Sequence, residues 1–166
     1  MQVSAKPLSR IKIRQYARFV RQQLDLEDVL YFPIVQVIEL LADDEEENFN
    51  YEIVSDDEMT ETYGTTNTTN NIMRIREKVY NGAVKGNARD RFTLCHEFGH
   101  WLLHQPESVS FARGDIPKYC DPEWQANVFA AELMIPYHKT RDMAVEKITV
   151  ECGVSHSCAE IQKKYF

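Results

Sequence analysis

Apolar residues recur with helical spacing in two segments near the start of the chain. In residues 8–24 they fall at three- and four-residue intervals, and after Pro33 the same spacing continues until an acidic run begins at Asp43. Apolar residues at i, i+3, i+4 and i+7 lie on one face of an α-helix, so both segments are predicted to be amphipathic helices. A second face of the first helix carries four arginines, Arg10, Arg14, Arg18 and Arg21.

The period of the pattern then changes from helical to alternating. In residues 49–54 and again in residues 72–76, apolar residues alternate with polar ones. The apolar positions are Phe49, Tyr51, Ile53, Met73 and Ile75. A period of two is typical of a strand with one buried face, so a small sheet is predicted from these two segments. The polar stretch 60–71 between them is predicted to be a loop or a loose hairpin.

Charge is distributed unevenly along the chain, whose formal net charge is −7. Residues 1–24 carry six basic and no acidic side chains, and residues 25–63 carry fourteen acidic and no basic ones. A DNA-binding surface needs a net basic face, so the overall sign argues against direct nucleic-acid binding. The basic helix and the acidic stretch are expected to offset each other or to be solvated.

The cysteines and the N-terminus predict a cytoplasmic location. The four cysteines form no CxxC pair, which favours free thiols in a reducing compartment. No uninterrupted apolar run follows the basic start, so no secretory signal is predicted. No segment approaches the ~20 consecutive apolar residues that a membrane helix needs, so no contact with a membrane is expected.

A largely buried helix is predicted from residue 91 onward, with Asp90 as its N-cap. Apolar residues cover most of its circumference. The remaining strip carries Thr93, His96, Glu97, His100 and His104. Buried ionisable groups need partners, and two imidazoles one turn apart on such a strip are placed to reach one metal ion. Gly99, in the middle of the helix, costs up to ~1 kcal/mol relative to alanine, which indicates that another segment packs closely there.

His96 and His100 belong to a His-Glu-x-x-His sequence. The i, i+4 spacing places both imidazoles on one face of the helix, within reach of one Zn²⁺. Glu97 is rotated too far round the helix to ligate easily, but it is near enough to accept a proton from water activated by the metal. The alternative is a pair of core histidines that are satisfied by carboxylates, with Glu97 as an ion-pair partner.

A catalytic zinc site requires a third protein ligand, and a second helix offers two candidates. This helix is predicted to begin at Pro122 with Asp121 as its N-cap. Glu123 lies in its first turn, where the helix dipole favours an acidic residue even without a metal. Glu132 lies on the opposite side of the helix, so the two carboxylates cannot both face one ion. Glu123 is the preferred candidate and Glu132 is the alternative.

Two stretches of the sequence resemble a known family. Residues 91–104 read Arg-Phe-Thr-Leu-Cys-His-Glu-Phe-Gly-His-Trp-Leu-Leu-His, and residues 123–136 read Glu-Trp-Gln-Ala-Asn-Val-Phe-Ala-Ala-Glu-Leu-Met-Ile-Pro. Together they closely resemble the motifs of the ImmA/IrrE family of zinc metallo-endopeptidases, over about a sixth of the chain. The joint occurrence of the two motifs is much more specific than His-Glu-x-x-His alone.

The resemblance implies a gluzincin-like zinc site. His96, His100 and Glu123 would be the zinc ligands and Glu97 the general base. Asn127 falls where relatives carry a residue that supports the ligands. Known members of the family cleave transcriptional regulators, including repressors of phages, of mobile elements or of a stress response. The resemblance therefore predicts a cytoplasmic zinc endopeptidase whose substrate is a separately encoded helix-turn-helix repressor.

The whole chain is predicted to be one zincin-like peptidase domain of the α+β class, mainly helical, with a small sheet over the His-Glu-x-x-His helix. The free edge of this sheet would hold an extended peptide by strand addition. Residues 1–32 would be an N-terminal helical segment, residues 33–136 the catalytic core and residues 137–166 the C-terminal helices. A length of 166 residues with 43% hydrophobic composition suits a single core. The competing hypothesis is a binding protein with a structural or vestigial zinc site, which sequesters its partner without cleaving it.

Three further side chains are candidates for roles at the site. His104 lies about 6 Å beyond His100 along the helix axis, so it cannot bind the same ion as His96. It would either support a ligand or line the cleft, or it would cap the helix or lie at the surface. Tyr137 and His138 are candidates for stabilising an oxyanion. The acidic stretch 43–58 has no role that the family explains.

Overall fold

The computed structural model of the protein describes all residues from 1 to 166. Its strands are β1 (Gln2–Ala5), β2 (Asn50–Val54), β3 (Gly64–Asn67), β4 (Ile72–Arg76) and β5 (Val109–Ala112). Its helices are α1 (Arg10–Gln23), α2 (Ile34–Asp43), α3 (Glu77–Val84), α4 (Ala88–Leu103), α5 (Pro122–Met134), α6 (Tyr137–Thr140), α7 (Val145–Cys152) and α8 (His156–Lys163). The predicted α+β class, mainly helical with a small sheet, is confirmed.

Three strands form a mixed sheet in the order β2-β4-β3. The central strand β4 pairs parallel with β2 and antiparallel with β3. β4 coincides with the predicted strand 72–76, and β3 lies within the stretch 60–71 predicted as a loop or loose hairpin. Met73 and Ile75 are fully buried, as their alternation predicts. The predicted burial of Ile53 is wrong: Ile53 is exposed and Val54 is buried instead. β2 lies at the sheet edge, whereas α4 packs against β3 and β4.

A second sheet, which the hydrophobic pattern does not indicate, joins the two strands β1 and β5. They are antiparallel, with Gln2 opposite Ala112 and Ala5 opposite Val109. Both strands have four residues and are largely exposed, so they lack the alternation that marks a half-buried strand. Residues 1–32 therefore contain the predicted helix, α1, and a preceding strand, β1, that was not predicted.

One hydrophobic core of 26 buried residues joins the main sheet to the helices. Within it, α4 packs along α5, and α1 packs against another side of α5. Gly99 lies at the contact between α4 and α5: a Cβ atom built there would be 3.0 Å from Phe129 Cδ1 and 3.4 Å from Ala126 Cα. The close packing predicted at Gly99 is confirmed, and it brings the two helices that carry the candidate ligands together.

Replacing Gly99 with valine is expected to lower the free energy of unfolding by about 1–3 kcal/mol, because the added atoms push α5 away from α4. Urea unfolding followed by circular dichroism would measure the loss. A valine at the exposed position Lys147 of α7 is the control, since it changes only helix propensity. Equal losses in the two variants would contradict a tight contact between α4 and α5.

None of the helices combines the length and the apolar character that crossing a bilayer requires.

All four cysteines are free, as their spacing predicts. Cys95, which directly precedes the first histidine of the motif, is completely buried, and its burial raises the pKa of the thiol to about 12. A buried thiol with a raised pKa behaves as a small apolar side chain, so Cys95 contributes to packing.

Candidate metal centre

The N-termini of two helices position the candidate ligands. α4 begins at Ala88, and the side chain of Asn87 caps it by accepting a hydrogen bond from the backbone N–H of Asp90. The predicted N-cap Asp90 thus lies in the first turn, and the prediction is wrong by three residues. α5 begins as predicted: the Asp121 side chain accepts a hydrogen bond from the N–H of Glu123.

Three donor groups meet where α4 and α5 approach each other. One ligand atom each from His96, His100 and Glu123 lies within 4.8 Å of the other two. The Nε2 atoms of the histidines are 3.0 Å apart, and they lie 3.3 Å and 3.2 Å from the two carboxylate oxygens of Glu123. Ligand atoms ~2.0–2.1 Å from a tetrahedral ion are separated by about 3.3 Å, so the spacing fits one small divalent metal ion.

The chemistry of the donor set also fits a metal. Burial, with the neighbouring imidazoles of His96 and His104 adding to it, lowers the pKa of His100 to about 3. A neutral imidazole keeps a lone pair available for a metal. Two imidazoles and one carboxylate are a common ligand set for catalytic zinc, and three protein ligands leave a coordination position open to water or substrate.

A chain of hydrogen bonds fixes which nitrogen of His100 faces the cluster. The side-chain N–H groups of Gln125 donate to the carbonyl oxygens of Lys6 and Tyr119, at 2.8 Å and 2.7 Å, so Gln125 Oε1 is left to accept. It accepts from His104 Nε2 at 3.0 Å, which makes His104 Nδ1 an acceptor for His100 Nδ1 at 2.9 Å. The lone pair of His100 therefore lies on Nε2, the atom that faces Glu123.

His104 is thus a buried residue, 5% exposed, whose side chain supports His100. It is also the C-cap of α4, since its backbone N–H donates to the carbonyl oxygen of His100, so the predicted capping is confirmed and the predicted surface position is wrong. Burial also lowers the pKa of His104. Asn127 plays the matching part for the other histidine: its Oδ1 lies 2.9 Å from His96 Nδ1, so it accepts that proton and leaves the Nε2 lone pair of His96 free.

Glu97 lies beside the cluster and outside it. Thr66 in β3 donates a 2.7 Å hydrogen bond from Oγ1 to Glu97 Oε2, which holds the carboxylate towards the sheet. Burial raises the pKa of Glu97, while the hydrogen bond from Thr66 and the nearby His96 act in the opposite direction. A Cβ atom on Gly64 would lie 2.9 Å from Glu97 Cγ, so only glycine lets β3 approach this closely. A buried carboxyl group with a raised pKa is suited to exchanging a proton.

Three other candidates lie away from the cluster. Glu132 is buried and accepts hydrogen bonds from Arg14 at 2.9 Å and from Arg10 at 3.4 Å, so it is the charge partner of α1, and its selection as the alternative ligand is wrong. Tyr137 packs edge-on against Phe166, at 5.2 Å between ring centroids, and His138 Nε2 bonds the carbonyl of Glu27. Neither residue lines the cleft that holds the ligands.

The three donor residues line a polar cleft of about 1090 Å³. β3 also lines it, and the outer edge of β3 has no strand partner because β3 ends the sheet. The rest of the lining includes β1, β5 and the loop that leads to α5, through Val3, Val109 and Ile116. A cleft with a free strand edge on one side accommodates an extended peptide.

The family model Peptidase_M78, which describes the IrrE N-terminal-like domain, matches residues 54–155 of the chain. This match covers more than half of the sequence and includes β3, β4, α4 and α5. No curated protein and no solved structure matches the chain. The matched region therefore contains all three donor residues together with Thr66 and Glu97, and it suggests a metallopeptidase.

Proposed function

The chain belongs to the IrrE N-terminal-like family of peptidases, as its resemblance to the ImmA/IrrE family predicts, and we propose that it is a zinc-dependent endopeptidase. The observation that carries this proposal is the meeting of His96, His100 and Glu123 within 4.8 Å, with Glu97 held beside them by a separate hydrogen bond. A structural zinc site normally has four protein ligands, and this donor set has three.

In this proposal His96, His100 and Glu123 hold Zn²⁺, which when bound supplies Lewis acidity towards the scissile carbonyl and acidifies the attacking water. Glu97 accepts the proton of that water and passes it to the leaving amine. Thr66 fixes the direction of the Glu97 carboxylate during both transfers. Asn127 and His104 keep the two imidazoles in the tautomer and orientation that ligation needs.

We propose that the substrate is a transcriptional regulator with a helix-turn-helix domain, cleaved in the cytoplasm. The substrate class follows from the resemblance to the ImmA/IrrE family, and the cleft supports a protein substrate in an extended conformation. The free edge of β3 can pair with the substrate backbone, which would bring one peptide bond to the cluster.

Zinc content is the first test of the proposal. Mass spectrometry of the tag-free protein, purified without chelator, is expected to find about one equivalent of zinc. The His96→Ala variant is expected to lose it, because the Nε2 ligand is removed. His156→Ala is the matched control, since His156 is an exposed histidine of α8 that lies 3.6 Å from the carboxylate of Glu160 and does not belong to the donor set.

Metal-free wild-type protein would contradict the zinc site and would favour the competing hypothesis of a binding protein that sequesters its partner. Equal metal contents in the wild-type and His96→Ala proteins would place the zinc elsewhere in the chain. If zinc is bound and lost as expected, a helix-turn-helix regulator encoded beside this protein is the first substrate to be tested for cleavage.

A further inference from the structure

An apolar groove lies next to the metal cleft, between the start of α4, one face of α5 and the helix α8. Its volume is about 590 Å³, within the range of ligand-binding clefts. Phe92, Trp124 and Val128 line it from α4 and α5. Ile161 and Tyr165 also line it and are 53% and 47% exposed, so large apolar side chains of this groove are open to solvent.

The rim of this groove is positively charged. Arg10, Arg89 and Lys118 line it, and no acidic residue does. Arg89 and Lys118 form no ion pair with a carboxylate; they lie over the rings of Tyr63 and Trp124, at 5.2 Å and 5.8 Å from the centroids. Arg10 is paired with Glu132, so two of the three basic side chains lack a carboxylate partner. In a chain of net charge −7, an apolar groove lined by two unpaired cations favours a partner that is apolar and acidic.

An unpaired hydrogen-bond donor lies in the wall of the same groove. Gln162 is 1% exposed, and its Oε1 accepts a hydrogen bond from Arg10 at 3.2 Å. Its Nε2 is the one buried side-chain nitrogen or oxygen in the protein without a partner. An unsatisfied buried amide costs about 1–3 kcal/mol, so an acceptor oxygen that reached this nitrogen after a small movement of the side chain would stabilise an occupant of the groove.

The groove borders the metal centre. Asn127, which supports His96, lines both the groove and a smaller cavity that contains Glu97, and Lys118 lines both the groove and the main cleft. A polypeptide bound in the cleft would therefore lie close to the groove. Arg10 and α8 lie outside the matched region 54–155, so part of this groove comes from segments of the chain that the family model does not match.

We propose that the groove is a docking site for an apolar, acidic segment of the protein substrate, separate from the residues around the scissile bond. The identity of the occupant as a substrate segment rests on the proposed peptidase function. The docking itself requires only the groove, its basic rim and the acceptor oxygens of the bound segment. Specificity would then come from the groove, while the cleft holds the backbone of the substrate.

Two labelled peptides test the proposal with the full-length Glu97→Gln protein, which cannot consume a ligand by hydrolysis. Both are helical and present leucines on one face; the other face carries glutamates in one peptide and lysines in its twin. Fluorescence anisotropy is expected to show that the glutamate peptide binds at least about tenfold more tightly than the lysine peptide.

Two variants at exposed positions test the apolar wall of the groove and its basic rim separately. Ile161→Glu is expected to weaken binding of the glutamate peptide by about tenfold, because it places a like charge on the apolar wall. Arg89→Glu is expected to weaken binding of the glutamate peptide by a similar factor and to strengthen binding of the lysine peptide. The matched controls are Val150→Glu and Lys147→Glu, both exposed on α7 and outside the groove, which are expected to bind as the parent protein does.

Equal affinity for the two peptides, absence of binding, or equal losses in the α7 controls would overturn the proposal. Concentration-dependent dimerisation that Ile161→Glu abolishes would assign the groove to a second copy of the chain and would also overturn it. Selective peptide binding by a protein that cleaves no regulator would contradict the peptidase function and leave the docking site standing. Cleavage of a regulator at the same rate by the Ile161→Glu and wild-type proteins would contradict the docking site and leave the peptidase function standing.

Discussion

The Glu97→Gln variant is expected to keep its metal and to lose peptide hydrolysis by about 10³-fold. Glu97 does not belong to the donor set of His96, His100 and Glu123, so the amide removes no ligand. Glutamine has nearly the same shape, and its Oε1 can still accept the hydrogen bond from Thr66. The variant therefore isolates proton transfer, because an amide cannot take a proton from the attacking water.

Cleavage of a helix-turn-helix regulator, followed on gels over time, would measure this loss, with zinc content determined on the same samples. Glu160→Gln is the matched control, since Glu160 is an exposed carboxylate of α8 far from the cluster in sequence. Cleavage by Glu97→Gln at the wild-type rate would refute Glu97 as the general base. A stable complex with an intact regulator, formed equally by both proteins, would favour the binding-protein hypothesis.

The grouping of the donor residues could be predicted because each step is local. The i, i+4 spacing of His96 and His100 fixes their common face, and Asp121-Pro122 fixes the start of α5 and hence the place of Glu123. Gly99 indicates the close helix contact that brings the two helices together. Their roles as zinc ligands stay predictions until the metal is measured.

The residues that orient this set could not be predicted, since they depend on contacts between distant parts of the chain. Thr66 belongs to a polar stretch without apolar alternation, yet β3 carries it to Glu97. Gln125 can support His104 only because Lys6 and Tyr119 engage its two N–H groups. Side-chain hydrogen bonds across such separations leave no periodic signal in the sequence.

The secondary structure shows the same contrast between local sequence signals and contacts between distant parts of the chain. The helices α1, α2, α4 and α5 lie close to their predicted positions. α1 and α2 have apolar residues at helical spacing on one buried face, whereas α4 and α5 are buried over most of their circumference and are marked by their apolar content and N-terminal residues. β1 and β5 are short and exposed, and they pair across more than a hundred residues, so neither contains a local indication of its partner. Tertiary pairing decides their structure.

Arg21→Ala is expected to lower the free energy of unfolding by about 3–5 kcal/mol, a large part of the stability of a small domain. Arg21 is fully buried and has no carboxylate partner. Its guanidinium donates to the carbonyl oxygens of Leu133 at 2.8 Å, Leu26 at 3.1 Å and Val29. Alanine would leave these carbonyl groups without a donor and would open a cavity between α1 and the loop that follows it.

The sequence predicts a different environment for Arg21, because it is read with Arg10, Arg14 and Arg18 as one solvated basic face. In the structure Arg21 continues the buried stripe of α1 that contains Ile13 and Ala17, one helical turn after Ala17. Burial lowers the pKa of Arg21 to about 10, so the side chain remains cationic at neutral pH. The prediction of a solvated position is wrong for Arg21, since backbone carbonyl oxygens accept the hydrogen bonds that water would accept from an exposed guanidinium.

Urea unfolding of three variants would separate packing from hydrogen bonding at this site. Arg21→Met fills much of the volume and offers no donor, so it is expected to recover part of the loss seen in Arg21→Ala. Arg18→Ala is the control on the same helix, because Arg18 is half exposed and pairs with Glu27 at the surface, where an ion pair contributes little. Full wild-type stability in Arg21→Met would show that the carbonyl groups need no donor from α1, and would contradict this account of the buried cation.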